Sequence, residues 1–263
     1  MRVTTDDAVI DIETTGKGNA IVLIHGFPLT RDVWDAQAAE LAKIAFVIRP
    51  DLRGMGRSSV PDGPYLMETL AADIAAILDA LGIERAALAG HSLGGYVSLA
   101  FARMYTERTE RLALVCSRLA ADSEQTARAR EELADRAERE NSMDVVVEAY
   151  VPRLSACGAT ANEAVISRAE ELARRTSPRG AASMLRGMAQ RADSYDITED
   201  LAMPVLIAAG AADRNIPLEE AQEMQRAFPN ATLKTLDHSG HLPMLEEPEE
   251  LTALLTSFVC ESS

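Results

Sequence analysis

Ser92 stands in Gly90-His91-Ser92-Leu93-Gly94, with an apolar run before it (86–89) and a helical pattern after it (95–105). A serine at a sharp strand-to-helix turn needs small residues two positions to either side, because the turn brings backbones into close contact. Such a turn lifts the serine Oγ clear of a sheet and sets it near the positive end of the following helix. Two readings are open from this stretch alone: a nucleophile on an elbow, or a glycine-rich structural turn.

A serine hydroxyl is a weak nucleophile at neutral pH. It needs a base within hydrogen-bond reach, and the base needs an orienting acid. The chain has four histidines: His25, His91, His238 and His241. His241 lies in Asp237-His238-Ser239-Gly240-His241-Leu242-Pro243, directly after the last expected strand. A loop there can hang an imidazole over the elbow, so His241 is the candidate base. His238 reads as a loop histidine. His91 flanks the serine with its side chain turned away, which fits a structural role. The candidate acid is Asp213, in the loop after the apolar run 205–208, where it can fix the imidazole tautomer. Asp213 can also be read as a cap for the helix from 218, and Asp237 is a rival acid. An oxyanion needs two backbone N–H groups. Leu93, next after the serine, offers one, and Phe27 in His25-Gly26-Phe27-Pro28 offers the other, since Pro28 has no N–H. His25 reads as packing that loop and bordering a substrate pocket.

The elements that must position these residues follow from hydropathy patterning. Short apolar runs at 21–24, 46–48, 86–89, 112–115 and 205–208 read as strands buried on both faces, with 9–13 and 232–236 as further strands. Helical spacing at 69–81 stops at Gly82, and further helices follow at 93–105, 218–228 and 249–259. Strands alternating with helices predict an α/β protein, a mostly parallel, doubly wound sheet covered on both sides. The rhythm breaks from about 119 to 195, where 122–140, 145–154, 163–175 and 180–192 all read as helical. The first of these is dense in Ala, Glu and Arg, and an Asp122/Ser123 cap opens it. The expected organisation is therefore a core of 1–118 and 196–263 with a helical cap inserted at 119–195. Met143, Tyr150, Met184, Leu185 and Met188 are candidate cap residues facing a pocket.

Composition narrows the partners. The 263 residues are 47% hydrophobic, enough for a large core, and carry a formal net charge of −15. Such a surface repels nucleic acid and anionic membrane. The N-terminus has no apolar leader pattern, and no apolar run approaches membrane-spanning length. Cys116, Cys157 and Cys260 are odd in number, widely separated, and free of metal-ligand spacing. Free thiols in a reducing cytoplasm are expected.

Five stretches together carry a resemblance. His25-Gly26-Phe27-Pro28, Asp51-Leu52-Arg53-Gly54-Met55-Gly56-Arg57-Ser58, Gly90-His91-Ser92-Leu93-Gly94-Gly95, Gly210 to Asp213, and Gly240-His241-Leu242-Pro243 followed by Glu246-Glu247-Pro248 stand in that order. Along nearly its whole length the chain resembles the α/β-hydrolase-fold serine hydrolases, whose triad order Ser, Asp, His matches Ser92, Asp213, His241. The resemblance implies the α/β-hydrolase fold, Asp51 and Arg53 as structural supports, and no metal or organic cofactor. Ser92 stands where dehalogenases and most epoxide hydrolases carry aspartate, which argues against both activities. It leaves carboxylesterases, lactonases, serine-dependent C–C hydrolases and cofactor-free perhydrolases. A small-molecule ester is the expected substrate; a non-catalytic receptor on the same scaffold is the alternative of a different class.

Overall fold

The computed structural model describes residues 1–156 and 162–260. Its strands are β1 (Arg2–Thr4), β2 (Val9–Gly16), β3 (Ala20–Ile24), β4 (Phe46–Pro50), β5 (Ala86–His91), β6 (Thr109–Val115), β7 (Val205–Gly210) and β8 (Ala231–Leu236). They form one sheet in the order β1-β2-β4-β3-β5-β6-β7-β8. The pairs β1–β2 and β2–β4 are antiparallel, and all pairs from β4 through β8 are parallel. The sheet is thus mostly parallel, as the apolar runs predict. The edge strand β1 and the full length of β2 go beyond the expected 9–13. In β1 only Val3 is buried, which is too little pattern to read from sequence.

Every residue of β3 and β5 is buried, because helices cover both faces. Alternate side chains go to opposite cores. Val22, Ile24, Leu88, Leu114 and Ile207 point to one face, under α2 (Met67–Ala80), α3 (Leu93–Met104) and α8 (Leu218–Ala227). Ile21, Leu23, Val47, Ala89 and Val115 point to the other, under α1 (Asp35–Leu41) and α10 (Pro248–Cys260). Each such Leu or Ile contributes roughly 1.5–3 kcal/mol by burial. Helix α1 went unanticipated. Its packing turns on a polar residue, since the buried Gln37 carboxamide donates to Met244 O at 3.4 Å and Pro248 O at 3.3 Å.

Between β6 and β7 the chain leaves the sheet, and the elements of its described residues are all helical. They include α4 (Glu124–Glu140), α5 (Asp144–Tyr150), α6 (Glu163–Ala173) and α7 (Pro178–Ala189). Their starts are set by side-chain caps: Ser123 Oγ accepts from Thr126 N, Asn162 Oδ1 from Ala164 N, and Ser177 Oγ from Gly180 N, with Pro178 at the first helical position. Ser123 therefore caps α4, while Asp122 is used elsewhere. The α4 surface buries only Ala134 and Ala137, whose small side chains let α7 approach. The last short helix, α9 (Pro243–Glu246), follows β8.

Candidate active site

Ser92 joins β5 to α3 with φ 50° and ψ −111°, a conformation that L residues rarely adopt. The neighbouring backbones explain why it persists. A Cβ on Gly90 would lie 2.2 Å from Gly94 O, and one on Gly94 would lie 2.2 Å from Ile24 O. Ser92 N donates to Val115 O at 2.9 Å, and Ser117 Oγ donates to Ser92 O at 3.0 Å. Ser92 is the one residue of the stretch 86–102 that is not fully buried. The Leu93 amide opens α3, so it belongs to the first-turn N–H groups with no carbonyl partner inside the helix.

The loop after β7 carries Asp213 and the loop after β8 carries His241. The two loops touch at glycines: a Cβ on Gly210 would lie 2.0 Å from Gly240 O. His241 Nδ1 donates to Asp213 Oδ2 at 2.7 Å, and both groups are buried. The other oxygen, Asp213 Oδ1, accepts from Asn215 N at 2.8 Å and Ile216 N at 3.0 Å. Burial alone would raise the Asp213 carboxyl. The His241 ring and those two amides outweigh it and hold the acid below its ordinary value, so it stays ionised. Because Asp213 fixes Nδ1 as the protonated nitrogen, His241 Nε2 keeps its lone pair.

Glu246 fixes the histidine loop. Its Oε2 accepts from Gly240 N at 2.8 Å and Leu242 N at 3.2 Å, while its Oε1 accepts from Ser155 Oγ at 2.8 Å and Ala156 N at 2.7 Å. His241 N also donates to Leu154 O at 2.9 Å. The loop is therefore tied on both sides to the helical segment that follows β6. Glu247 Oε2 accepts from His238 N and Ser239 Oγ and closes the turn before it.

Ser92, His241 and Phe27 open into a cavity of about 440 Å³ roofed by the inserted helices. Phe27 packs edge-on against Tyr150, with ring centroids 4.9 Å apart. The Tyr150 hydroxyl accepts from Arg130 Nη1 at 2.6 Å, and Arg130 also pairs with the buried carboxylate of Asp122. Burial pushes the Tyr150 phenol above its usual value, so it stays neutral. Arg191 stacks on the face of Tyr96 at 3.9 Å, and burial lowers its guanidinium from the ordinary value.

The α/β hydrolase fold family matches residues 19–248, most of the chain. The chain belongs to this family. It is 30% identical over 264 residues to an AB hydrolase superfamily protein of Bacillus subtilis (strain 168), covering 97% of each chain. A solved thermophilic esterase from Thermogutta terrifontis superposes with TM-score 0.94 at 36% identity, covering 98% of this chain and 97% of that one. The enol-lactonase from Burkholderia xenovorans LB400 superposes with TM-score 0.91 at 26% identity, covering 99% and 100%.

Within this hydrolase fold the expected site residues divide. Ser92, His241, Phe27, Tyr150 and Met188 share the cavity lining, and Asp213 sits behind His241. Asp213 does not cap α8, whose N-cap position is Pro217, and Asp237 is exposed on its loop. His25 does not border the pocket. It is fully buried, with Nδ1 against Gly26 O at 3.1 Å and Nε2 accepting from Leu52 N at 3.0 Å; burial lowers its pKa and keeps it neutral. Met143, Met184 and Leu185 also lie away from the cavity lining, buried in the core on the α2–α3 side of the sheet. The period of a helix cannot separate a side chain facing a cavity from one facing a core, because both are apolar.

Other residues of the resembling stretches are buried around the elbow. His91 lies behind the elbow, donating from Nε2 to His241 O at 2.7 Å. Burial first, then the nearby His241, push its pKa down to about 3. Asp51 accepts from Arg31 N and Arg57 N, and Arg53 grips Asp73 with two bonds of 2.7 Å. Both hold the loop after β4.

The fold also gathers groups far apart in sequence. Cys116, Asp213 and His241 bring ligand-type atoms within 4.8 Å of one another. Asp213 and His241 are already bonded together, and burial raises the Cys116 thiol well above its ordinary value, so it is a poor metal ligand there. Cys116 and Cys260 are free thiols; Cys157 lies outside the described residues. Glu246 enters the sequence reading only as part of a resembling stretch, with no role, and the arginines Arg118, Arg130, Arg153 and Arg214 of the cavity lining do not enter it. A carboxylate five residues after His241 was visible, but nothing in sequence distinguished these arginines from solvated ones. Among the described residues no helix is long and apolar enough to cross a membrane.

Proposed function

We propose that this α/β hydrolase cleaves small to medium carboxylic esters through a Ser92–His241–Asp213 triad and an acyl-enzyme. The reading rests on one observation above all. A strained, partly exposed serine and an Asp-bonded histidine line the same cavity. Ser92 Oγ attacks the acyl carbon while His241 Nε2 takes its proton. The Phe27 and Leu93 amides hold the developing oxyanion, and His241 returns the proton to the departing alkoxide. Water, deprotonated by His241, then attacks the acyl-enzyme, and its proton goes back to Ser92 as the acid leaves. No step requires a metal or an organic cofactor.

The likeness to the Thermogutta terrifontis esterase supports the ester reading. The likeness to the Burkholderia xenovorans enol-lactonase supports a second one, since a lactone is a cyclic ester opened by the same steps. Residues 119–195 act as the cap that selects the substrate. A fluorophosphonate probe should add to Ser92 and abolish turnover of p-nitrophenyl acetate. A protein that neither takes the label nor cleaves any ester or lactone would overturn the reading and favour a receptor built on this scaffold.

A further inference from the structure

The cavity wall is cationic, in a protein whose surface is strongly anionic. Asp and Glu outnumber Lys and Arg by 41 to 26, so partners for an arginine are plentiful. Yet four arginines and one aspartate line the cavity. Two of the arginines are neutralised or held: Arg130 pairs with Asp122, and Arg118 pairs with Glu220 at 3.1 Å and donates to Asn215 O. The other two, Arg153 and Arg214, have no ion pair or side-chain hydrogen bond among the described residues.

These two are not scattered. Arg214 lies between Asp213 and Asn215 in the chain. Asn215 N donates to Asp213 Oδ1, and its side-chain Nδ2 donates to Arg153 O at 3.1 Å. Asn215 thus fastens the segment bearing Arg153 to the loop that carries the acid of the His241 pair. Two exposed arginines thus line the same cavity as Ser92 and His241. A neutral ester gives them nothing to bind. A second carboxylate on the substrate would, through charge-assisted and bidentate hydrogen bonds.

We infer that the natural substrate is an anion: an ester or lactone whose acyl part ends in a carboxylate, held by Arg153 and Arg214 while Ser92 meets the acyl carbon. The inference rests on the hydrolase reading above for the reaction, but not for the binding. It also assigns the rim a use in steering, since an acidic surface would otherwise repel such a substrate.

The test compares p-nitrophenyl hemiglutarate with p-nitrophenyl pentanoate, and adds calorimetric titration with glutarate. The wild type should favour the hemiglutarate by about tenfold in kcat/KM, equivalent to about 1.4 kcal/mol. The preference should lie mainly in KM and shrink as salt is added. In the double variant Arg153→Gln/Arg214→Gln the ratio of the two substrates should fall to near one, and glutarate binding should weaken at least tenfold. Arg153→Lys/Arg214→Lys should restore part of the ratio, which a merely disturbed fold would not do. Esters cleaved with no preference for charge, or a preference that survives in the glutamine variant, would overturn the inference and leave the hydrolase reading standing. Glutarate bound through both arginines with no ester cleaved would support the anionic ligand and sink the hydrolase reading instead.

Discussion

The floor of the cavity and its roof are built by different physics. The floor, where Ser92, Asp213 and His241 sit, is set by backbone contact. Gly90 lies against Gly94, Gly210 lies against Gly240, and Ser92 holds a positive φ. A side chain at any of those glycines would push main chains apart, so the geometry has few ways to vary. The roof is held by side chains: Ser123, Asn162 and Ser177 cap its helices, Arg130 pairs with Asp122, and Arg186 pairs with Asp135 and Glu138. Its exposed ion pairs are individually weak. Many sequences could make such a roof, whereas few could make such a floor. That contrast fits a chemistry held constant beneath a selectivity that can change.

The contrast breaks if changes to the floor leave turnover intact. Ser92→Ala removes the proposed nucleophile and should lower kcat by at least about three orders of magnitude, with the fold retained by circular dichroism. Steady-state kinetics with p-nitrophenyl acetate decides this, and near-normal turnover would remove the covalent mechanism. Asp213→Asn replaces an ionised acceptor of the His241 Nδ1–H by an amide that can present N–H instead. A loss of about two orders or more in kcat is expected. Asp237→Asn, on the exposed part of the loop, should change kcat little; the reverse ranking would mean that the acid has been misassigned.

Glu246 stands where floor meets roof. Glu246→Gln gives up acceptors on one side of its four hydrogen bonds. The His241 loop should loosen, lowering kcat about tenfold with a smaller change in KM, and lowering Tm by several degrees. Equal kcat in mutant and wild type would show that Glu246 acts on stability alone. The smallest effect belongs to the roof. Met188→Ala should shift the preferred acyl chain length while changing p-nitrophenyl acetate turnover less than about tenfold, since a few methylenes of pocket contact are worth roughly 1–3 kcal/mol. Met184→Ala, at a buried position off the cavity, should instead cost about 2–5 kcal/mol of stability and leave the chain-length profile unaltered. A changed profile in Met184→Ala alone would exchange the two assignments.

The floor was legible because its constraints act on residue type. A strained turn between a buried strand and a helix demands Gly-x-Ser-x-Gly, and Asp213 and His241 stand directly after apolar or alternating strand runs, while the close approach of Gly210 to Gly240 shows only in the structure. The buried parallel strands were legible for the same reason, since a strand covered on both faces must be apolar throughout. Strand β1 hid because a single buried valine makes no pattern, and α1 hid because its packing depends on the amide of Gln37. The roof was legible only as helices. Whether Met184 or Met188 faces the cavity depends on how α7 is rotated against α4, which hydropathy does not encode. His25 was placed at the pocket because its loop passes there, but its ring turns inward to Leu52 N. The arginines of the lining gather from residue 118 to residue 214, and only the tertiary arrangement makes them neighbours.

The carboxylate of Glu246 has a consequence for how such proteins diversify. One of its oxygens serves the loop of His241, and the other serves Ser155 and Ala156 of the insertion. The inserted helices are therefore not a cassette that can be exchanged at their two ends alone. A transplant of 119–195 into a related scaffold would have to bring a matching hydroxyl and amide to the host's equivalent of Glu246, along with a carbonyl for the amide of His241. Recombination between relatives should be viable mainly when the two halves of that contact travel together. Library designs that shuffle the insertion while leaving 240–247 fixed would then fail at the seam before any new specificity could be seen.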